Sequence, residues 1–250
     1  MDNILVVDLD GTLLKSDMLH EAFWCSLGTN WKTLHQSAIA IAKSKAALKS
    51  YLAGEAKVDV STLPYDQEVL NYVRTHVAKG GYAALVTASN QLHANEIADY
   101  LETFDEVHGS DHEKNLKGAE KAAFLINRFG NENFEYMGDA HSDLVVWEGS
   151  KKIITVNASR SLSQKVELLG KPFKHLATAP RHASQYIRAL RPYQWSKNSL
   201  IFLPMLAAHV FDMVTAVESL LAFIAFSLIA SCVYIMNDLL DLKADRLHPR

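Results

Sequence analysis

Cysteine is nearly absent. Cys25 and Cys232 are the only two in 250 residues, and they fit no metal-binding or redox spacing. That excludes a disulfide framework and suits a reducing compartment. An excess of one charge is also missing: 25 Lys and Arg face 28 Asp and Glu, a formal net charge of −3. Nothing global therefore draws the chain to nucleic acid, and no nucleic-acid partner is expected. There is no internal repeat and no low-complexity tract. An acidic residue and a short apolar run follow Met1, where a signal peptide would carry a basic region and an apolar core.

What is present is strongly asymmetric along the chain. Residues 4–8 form a short β-branched run ending in an acid, which predicts a buried strand. Residues 18–54 contain no proline and space their apolar residues helically, predicting two or three helices. A further helix is predicted over 66–78, ending at Lys79-Gly80-Gly81, a basic turn followed by glycine. Residues 82–86 predict a second strand, 91–101 a helix, 104–108 a third strand, and 118–129 a helix stopped by Gly130. Strands four and five are predicted over 134–137 and 152–156. Strands alternating with helices imply an α/β fold with a parallel, five-stranded sheet and crossover helices on both faces. Ligands of such sheets bind beyond the carboxyl ends of the strands, where Asp8, Thr87 and Asp139 all fall.

The residue types at those strand ends point to phosphate chemistry. Asp8-Leu9-Asp10-Gly11-Thr12 sets two carboxylates where both reach one small volume, with a glycine for the tight turn. Phosphoryl transfer to a carboxylate needs a nucleophile held in line and cations to offset the phosphate charge. A second carboxyl can protonate the leaving oxygen and later accept a proton from water. Thr87, in Leu85-Val86-Thr87-Ala88-Ser89, offers a hydroxyl to a phosphate oxygen. Lys121 offers a point charge, with Lys117 as its rival. Gly138-Asp139-Ala140-His141-Ser142-Asp143 adds two carboxylates at a spacing suited to joint Mg²⁺ ligation with Asp8. Each piece alone has a bland reading: an Asp-Gly turn, a turn hydroxyl, a solvated lysine, an acidic helix start.

In their order along the chain, these four motifs resemble those of the haloacid-dehalogenase-like phosphatases, over residues 1 to about 160. The resemblance implies a Rossmann-like core, a phosphoaspartyl intermediate on Asp8 and Asp10 as acid/base. It further implies Mg²⁺ held by Asp8, the Asp10 backbone carbonyl and Asp139, with Asp143 as supporting acid. The segment Gly118-Ala119-Glu120-Lys121 looks like the third motif of the phosphoserine-phosphatase-like branch, which favours Lys121. Residues 15–62 sit where that family inserts a helical cap. The expected domains are a hydrolase domain over 1–175, a basic linker over 176–198, and a membrane region over 199–250.

The last quarter differs in character. Residues 181–197 are basic, with Arg181, Arg188, Arg191 and Lys197. Two apolar stretches follow, 199–211 and 219–236. The second has 18 residues without a charge, enough to span roughly 27 Å as a helix, close to a bilayer's hydrocarbon core. The first is short and holds Pro204 and His209. Two transmembrane helices are expected, a buried soluble hairpin being the competing account. Asn237, Asp238, Asp241 and Asp245 follow, the three aspartates at i, i+3 and i+7 on one predicted helical face. That pattern suits Mg²⁺-bound diphosphate, or else a solvated acidic helix end.

Arg191-Pro192-Tyr193-Gln194-Trp195-Ser196-Lys197-Asn198 before the first stretch, and NDxxDxxxD with Arg246 and His248-Pro249 after the second, resemble the UbiA-type membrane prenyltransferases. The form looks closest to the branch that transfers phosphoribosyl groups to polyprenyl phosphate. The resemblance covers 186–250, only the first helices and first aspartate-rich motif of that family, so this chain cannot assemble that active site. The resulting expectation is a Mg²⁺-dependent phosphomonoesterase fused to the start of a transferase. Its partners would be a phosphorylated small molecule or polyprenyl-linked phosphate, together with membrane lipid. The hydrolase domain would lie on the cytoplasmic side of the cell membrane, as basic flanks predict. In the alternative, a longer protein acts mainly as a transferase and the hydrolase domain is accessory. A vestigial, membrane-anchored binding module is the third reading.

Overall fold

The computed structural model describes residues 3–111, 115–178 and 183–247. They form two compact units, Met1–Pro180 and Arg181–Arg250.

The first unit is built on β1 (Ile4–Val7), followed by α1 (Met18–Thr29), α2 (Lys32–Lys43), α3 (Lys45–Glu55) and α4 (Gln67–Ala78). Then come β2 (Tyr82–Asn90), α5 (Gln91–Leu101), β3 (Glu106–Ser110), α6 (Ala119–Phe129) and β4 (Phe134–Gly138). The unit closes with α7 (Leu144–Glu148), β5 (Lys152–Val156), α8 (Arg160–Leu168) and β6 (Phe173–Leu176). All neighbouring strands are parallel, in the order β3-β2-β1-β4-β5-β6.

Strand alternation divides the core in two. Leu5 and Val7 face one layer with Leu85, Val69, Val73 and Ile97, under α4 and α5. Ile4 and Val6 face the other with Leu125, Trp147, Leu162 and Val166, under α6 to α8. The helices start where their caps dictate: the Asp66 carboxylate accepts from the Glu68 and Val69 amides, and Ser159 from the Leu162 amide. The three helices α1 to α3 share a small core of their own around Ala22, Leu48 and Leu52.

The sheet has six strands where five were expected. Residues 173–176 read Phe-Lys-His-Leu and form an edge strand with three exposed residues, so they lack the apolar run that marks a buried strand. Strand β2 also runs past Val86 to Asn90, its register against β3 shifting between those residues. Thr87, Ala88 and Ser89 are thus strand residues and not a turn.

The second unit contains α9 (Ala183–Ala189), a 3-10 segment (Pro192–Phe202), α10 (Leu203–Ala207), α11 (Met213–Leu240) and α12 (Leu242–Leu247). Where two spans were expected, one helix among the described residues, α11, is long and apolar enough to cross a membrane by length and composition. Residues 199–211 are instead divided between the 3-10 segment and α10. Pro192 and Pro204 lack the amide proton of a helix interior, and 13 residues that include Ser199, Pro204 and His209 do not sustain one long apolar helix. The predicted single face for Asp238, Asp241 and Asp245 is also corrected. Asp241 caps α11 at φ −101, ψ 18, so Asp245 sits on the separate helix α12.

Candidate active site

The register of the sheet assembles the site. Val7 lies opposite Leu85 on one side and Met137 on the other. Asp8 is thus one residue, and Thr87 and Asp139 two residues, past a common level at the carboxyl edge. Gly11 follows with φ +74, and a Cβ there would collide with the Asp139 carboxylate. The glycine of the first motif therefore makes the turn and leaves room for the acid of the fourth.

Carboxylate oxygens of Asp8, Asp139 and Asp143 lie within 4.8 Å of one another, the one such group of potential ligands among the described residues. Asp8 Oδ1 accepts from the Leu9 amide at 2.8 Å and pairs with Lys121 Nζ at 2.9 Å. Lys121 is 2% exposed; Lys117 is exposed, and the structure sets Lys121 against Asp8. Its ammonium also donates to the Tyr136 hydroxyl at 2.9 Å, which donates in turn to Asp143 Oδ1 at 3.1 Å. Asp143 Oδ2 accepts from the Ala140 amide, and Thr12 Oγ1 donates to Asp139 Oδ1 at 3.3 Å.

Asp10 stands outside this trio. Its carboxylate accepts from the Met18 amide at 2.8 Å and from Ser89 Oγ at 2.6 Å. Burial, with Asp17 nearby, pushes its pKa up to about 6 despite those hydrogen bonds. Burial, then Asp8 and Asp143, pushes Asp139 up to about 7. Burial and Asp8 push Asp143 up to about 6, against the pull of Lys121. Burial keeps the Tyr136 phenol protonated far above its usual range, as a donor. Thr87 is fully buried, and its oxygen accepts from the Ser89 amide at 3.0 Å.

One ammonium among three converging carboxylates leaves negative charge uncompensated, and an all-oxygen donor set is what Mg²⁺ takes. The residues fit that ion. The consequence for stability has a definite sign. Carboxylates with raised folded-state pKa hold protons that the unfolded chain releases near its ordinary value of 3.8. Without metal, stability is therefore expected to fall as pH rises from about 4 through about 7. Thermal melts at pH 5 and pH 8 check this: Mg²⁺ should raise the melting temperature at the higher pH far more than at the lower, and Asp139→Asn should flatten the difference.

Four positions went unread in the sequence: Ser89, Tyr136, Lys49 and His93. Ser89 orients Asp10, and Tyr136 links Lys121 to Asp143 although its pattern signals only a core strand. A cleft between α1, α3 and the start of α5 is lined by Met18, Leu52, Lys49, Ser89 and His93. Lys49 Nζ donates to the Ala88 carbonyl at 2.6 Å. His93 is buried, its Nδ1 3.3 Å from Glu96 and its Nε2 without a hydrogen-bond partner among the described residues.

In the second unit one of the predicted diphosphate ligands, Asp238, is paired with an arginine. Arg191 Nη2 donates to both Asp238 oxygens, at 2.7 and 2.8 Å, and its guanidinium lies 5.3 Å from the Tyr234 ring centre. Trp195 Nε1 donates to Ser231 Oγ at 3.0 Å and Asn198 Nδ2 to Ser227 Oγ at 2.9 Å. Ser227, Ser231, Tyr234 and Asp238, spaced 4, 3 and 4 along α11, thus form the stripe that the Arg-Pro-x-Gln-Trp-x-Lys-Asn segment grips. Asn237 lies on α11, Asp241 caps it and Asp245 follows; these form no carboxylate cluster among the described residues. His248 and Pro249 lie outside those residues.

A parallel sheet whose carboxyl edge gathers acids, a lysine and a hydroxyl in this order belongs to a known class. The family description "haloacid dehalogenase-like hydrolase" matches residues 5–146, more than half the chain, and the protein belongs to that family. It is 37% identical to the uncharacterized protein y4nM of Sinorhizobium fredii over 246 residues, 98% of this chain and 48% of that one. The chain thus spans about half the length of that relative. A stretch of 70 residues is 43% identical to decaprenyl-phosphate phosphoribosyltransferase of Corynebacterium glutamicum, covering 27% of this chain and 21% of that one. Another, of 64 residues, is 41% identical to nodulation protein NoeC of Azorhizobium caulinodans, covering 26% and 21%. Among solved structures, a protein of unknown function from Bordetella pertussis aligns with TM-score 0.55 at 16% identity, over 69% of this chain and 98% of that one. A HAD family hydrolase of Salmonella enterica serovar Typhi aligns with TM-score 0.50 at 15% identity, over 71% and 68%. Both share the fold.

Proposed function

We propose that the first unit is a Mg²⁺-dependent phosphomonoesterase working through a phosphoaspartate. The observation that carries this reading is the Lys121 ammonium 2.9 Å from Asp8 Oδ1, beside carboxylates converging within 4.8 Å. The Asp8 carboxylate attacks phosphorus as the ester P–O bond breaks, and Asp10 gives its proton to the departing oxygen. Asp10 then takes a proton from a water that attacks the phosphoaspartate, which releases phosphate and restores Asp8. Ser89 and the Met18 amide hold Asp10 in place for both transfers. Lys121 offsets charge as the nucleophile and phosphate meet, and the Thr87 hydroxyl binds a phosphate oxygen. Asp8, the Asp10 carbonyl and Asp139 would hold Mg²⁺, with Asp143 in support; the ion would neutralise phosphoryl charge.

Helices α1 to α3 act as the cap, and the cleft they close over takes the alcohol part of the ester. Lys49 and His93 read its polar groups against an apolar floor. His93→Leu removes an unpartnered buried nitrogen, so stability should hold or rise. KM for the true substrate should rise about tenfold with kcat little changed. Steady-state kinetics alongside a melting curve separate the two effects.

The second unit is the start of a polyprenyl-phosphate-type transferase domain carried by a longer protein, with α11 in the cell membrane and the first unit on its cytoplasmic side. The similarity to the Corynebacterium enzyme supports the transferase reading, and the length and composition of α11 support its place in a membrane. In the complete protein the transferase makes a phosphorylated polyprenyl-linked product, and the first unit removes a phosphate from it or from a precursor. A second reading, supported by the same similarity, makes the transferase the main activity and the hydrolase unit an accessory. Phosphate release from sugar phosphates, phosphoserine and polyprenyl-linked phosphates, with Mg²⁺ supplied or chelated, tests the proposal. Mg²⁺-dependent turnover of one class supports it; no release from any sinks it.

A further inference from the structure

Helix α2 of the cap is inverted. Its buried positions are Thr33, Ser37 and Ala40, and the Ser37 hydroxyl finds no hydrogen-bond partner among the described residues. Its large apolar residues point outward: Leu34 is 55%, Ile39 42% and Ile41 58% exposed, and Trp31, directly before the helix, 66%. At 100° per residue, Trp31, Leu34, Ala38, Ile39, Ile41 and Ala42 fall in one arc of about 160° that also holds exposed His35, with exposed Lys32 and Lys43 at its edge. A soluble helix places such residues inward, since each forgoes about 1.5–3 kcal/mol by remaining in water.

Charge indicates what covers this face. No Asp or Glu occurs between Glu21 and Glu55, while Lys32, Lys43, Lys45 and Lys49 fall in that interval. Between those two acids, across all of α2 and the loops that flank it, the near-neutral chain carries only positive charge. An outward tryptophan-aliphatic stripe bordered by lysines is the composition of a helix lying in the interface of an anionic bilayer. The same chain carries α11, whose length and composition suit a membrane.

We propose that the outer face of α2 docks on an anionic lipid surface, Trp31, Leu34, Ile39 and Ile41 entering the headgroup boundary and Lys32 and Lys43 meeting lipid phosphates. Docking holds the cap against the bilayer, where a lipid-linked ester would enter. The inference goes beyond the phosphatase reading and does not depend on it, because its test involves no turnover.

The full chain, with Cys25 and Cys232 replaced by serine, is labelled at Leu34→Cys with a polarity-sensitive fluorophore and reconstituted in nanodiscs. Lys165→Cys on α8 serves as the solvent-facing control. In nanodiscs containing phosphatidylglycerol, the label at position 34 should shift to shorter wavelength. Its quenching by acrylamide should fall about fivefold relative to pure phosphatidylcholine. High salt, or Lys32→Glu with Lys43→Glu, should abolish the difference, and the control should not change. Equal quenching in both lipids overturns the proposal. So does protection that ignores lipid charge and salt, the mark of cover by another protein segment. Protection in detergent that grows with protein concentration also overturns it, assigning the face to a second copy.

Discussion

Asp8→Asn is expected to cut Mg²⁺-dependent phosphate release by about 10⁴-fold or more, because an amide cannot form the acyl phosphate. The fold should tolerate the change. The amide oxygen can still accept from the Leu9 amide and face Lys121, as Asp8 Oδ1 does at 2.8 and 2.9 Å. Removing one of three crowded charges also relieves Asp139, which Asp8 helps to push up to about 7. The metal-free variant should therefore melt no lower than the parent at pH 8. Acid-quenched incorporation of labelled phosphate should disappear together with turnover. Residual activity within tenfold of the parent would remove Asp8 from the chemistry and leave the unit a binding module.

Lys121→Met combines a catalytic loss with a structural one. The ammonium is buried against Asp8 and Tyr136, so its removal strands three carboxylates without their protein cation. Breaking such a pair costs about 3–5 kcal/mol. Activity should fall about 10²–10³-fold, the scale of losing one preorganised charge at the reacting centre. The stability cost should depend on pH. Lys121 opposes the upward shift of Asp143, which stands at about 6 with the lysine in place. Below pH 5 the carboxylates with raised pKa are largely protonated, and the missing cation matters less. Urea denaturation at pH 5 and pH 7.5 measures this. A penalty equal at both values would show that Lys121 acts by packing alone.

Much of the site was legible because its chemistry is local in sequence. Asp8, Asp10, Gly11 and Thr12 are contiguous, as are Gly138 through Asp143, and each group follows a strand whose apolar run is plain. Thr87 was found at a strand end, but β2 continues to Asn90, so the hydroxyl reaching Asp10 comes from Ser89. Serine after a strand usually belongs to a turn, which hid it. Tyr136 was hidden by its place in an apolar strand, and Lys49 and His93 because a cleft between elements has no linear motif. Strand β6 escaped because an edge strand needs no buried apolar run. In the second unit, Asp238 was read as a metal ligand beside Asp241 and Asp245. The fork from Arg191, 47 residues away, was not readable from the aspartate spacing.

By itself the sequence determined the alternation of strands and helices, the apolar length of α11, and which acids end which strands. These follow from periodicity and side-chain type within a few residues. Only the tertiary structure decided that Lys121 and not Lys117 meets Asp8. It also decided that the Ser89 hydroxyl holds Asp10, and that residues 199–211 form no spanning helix. Register and packing join residues distant along the chain, and no local pattern records which partner a side chain will meet.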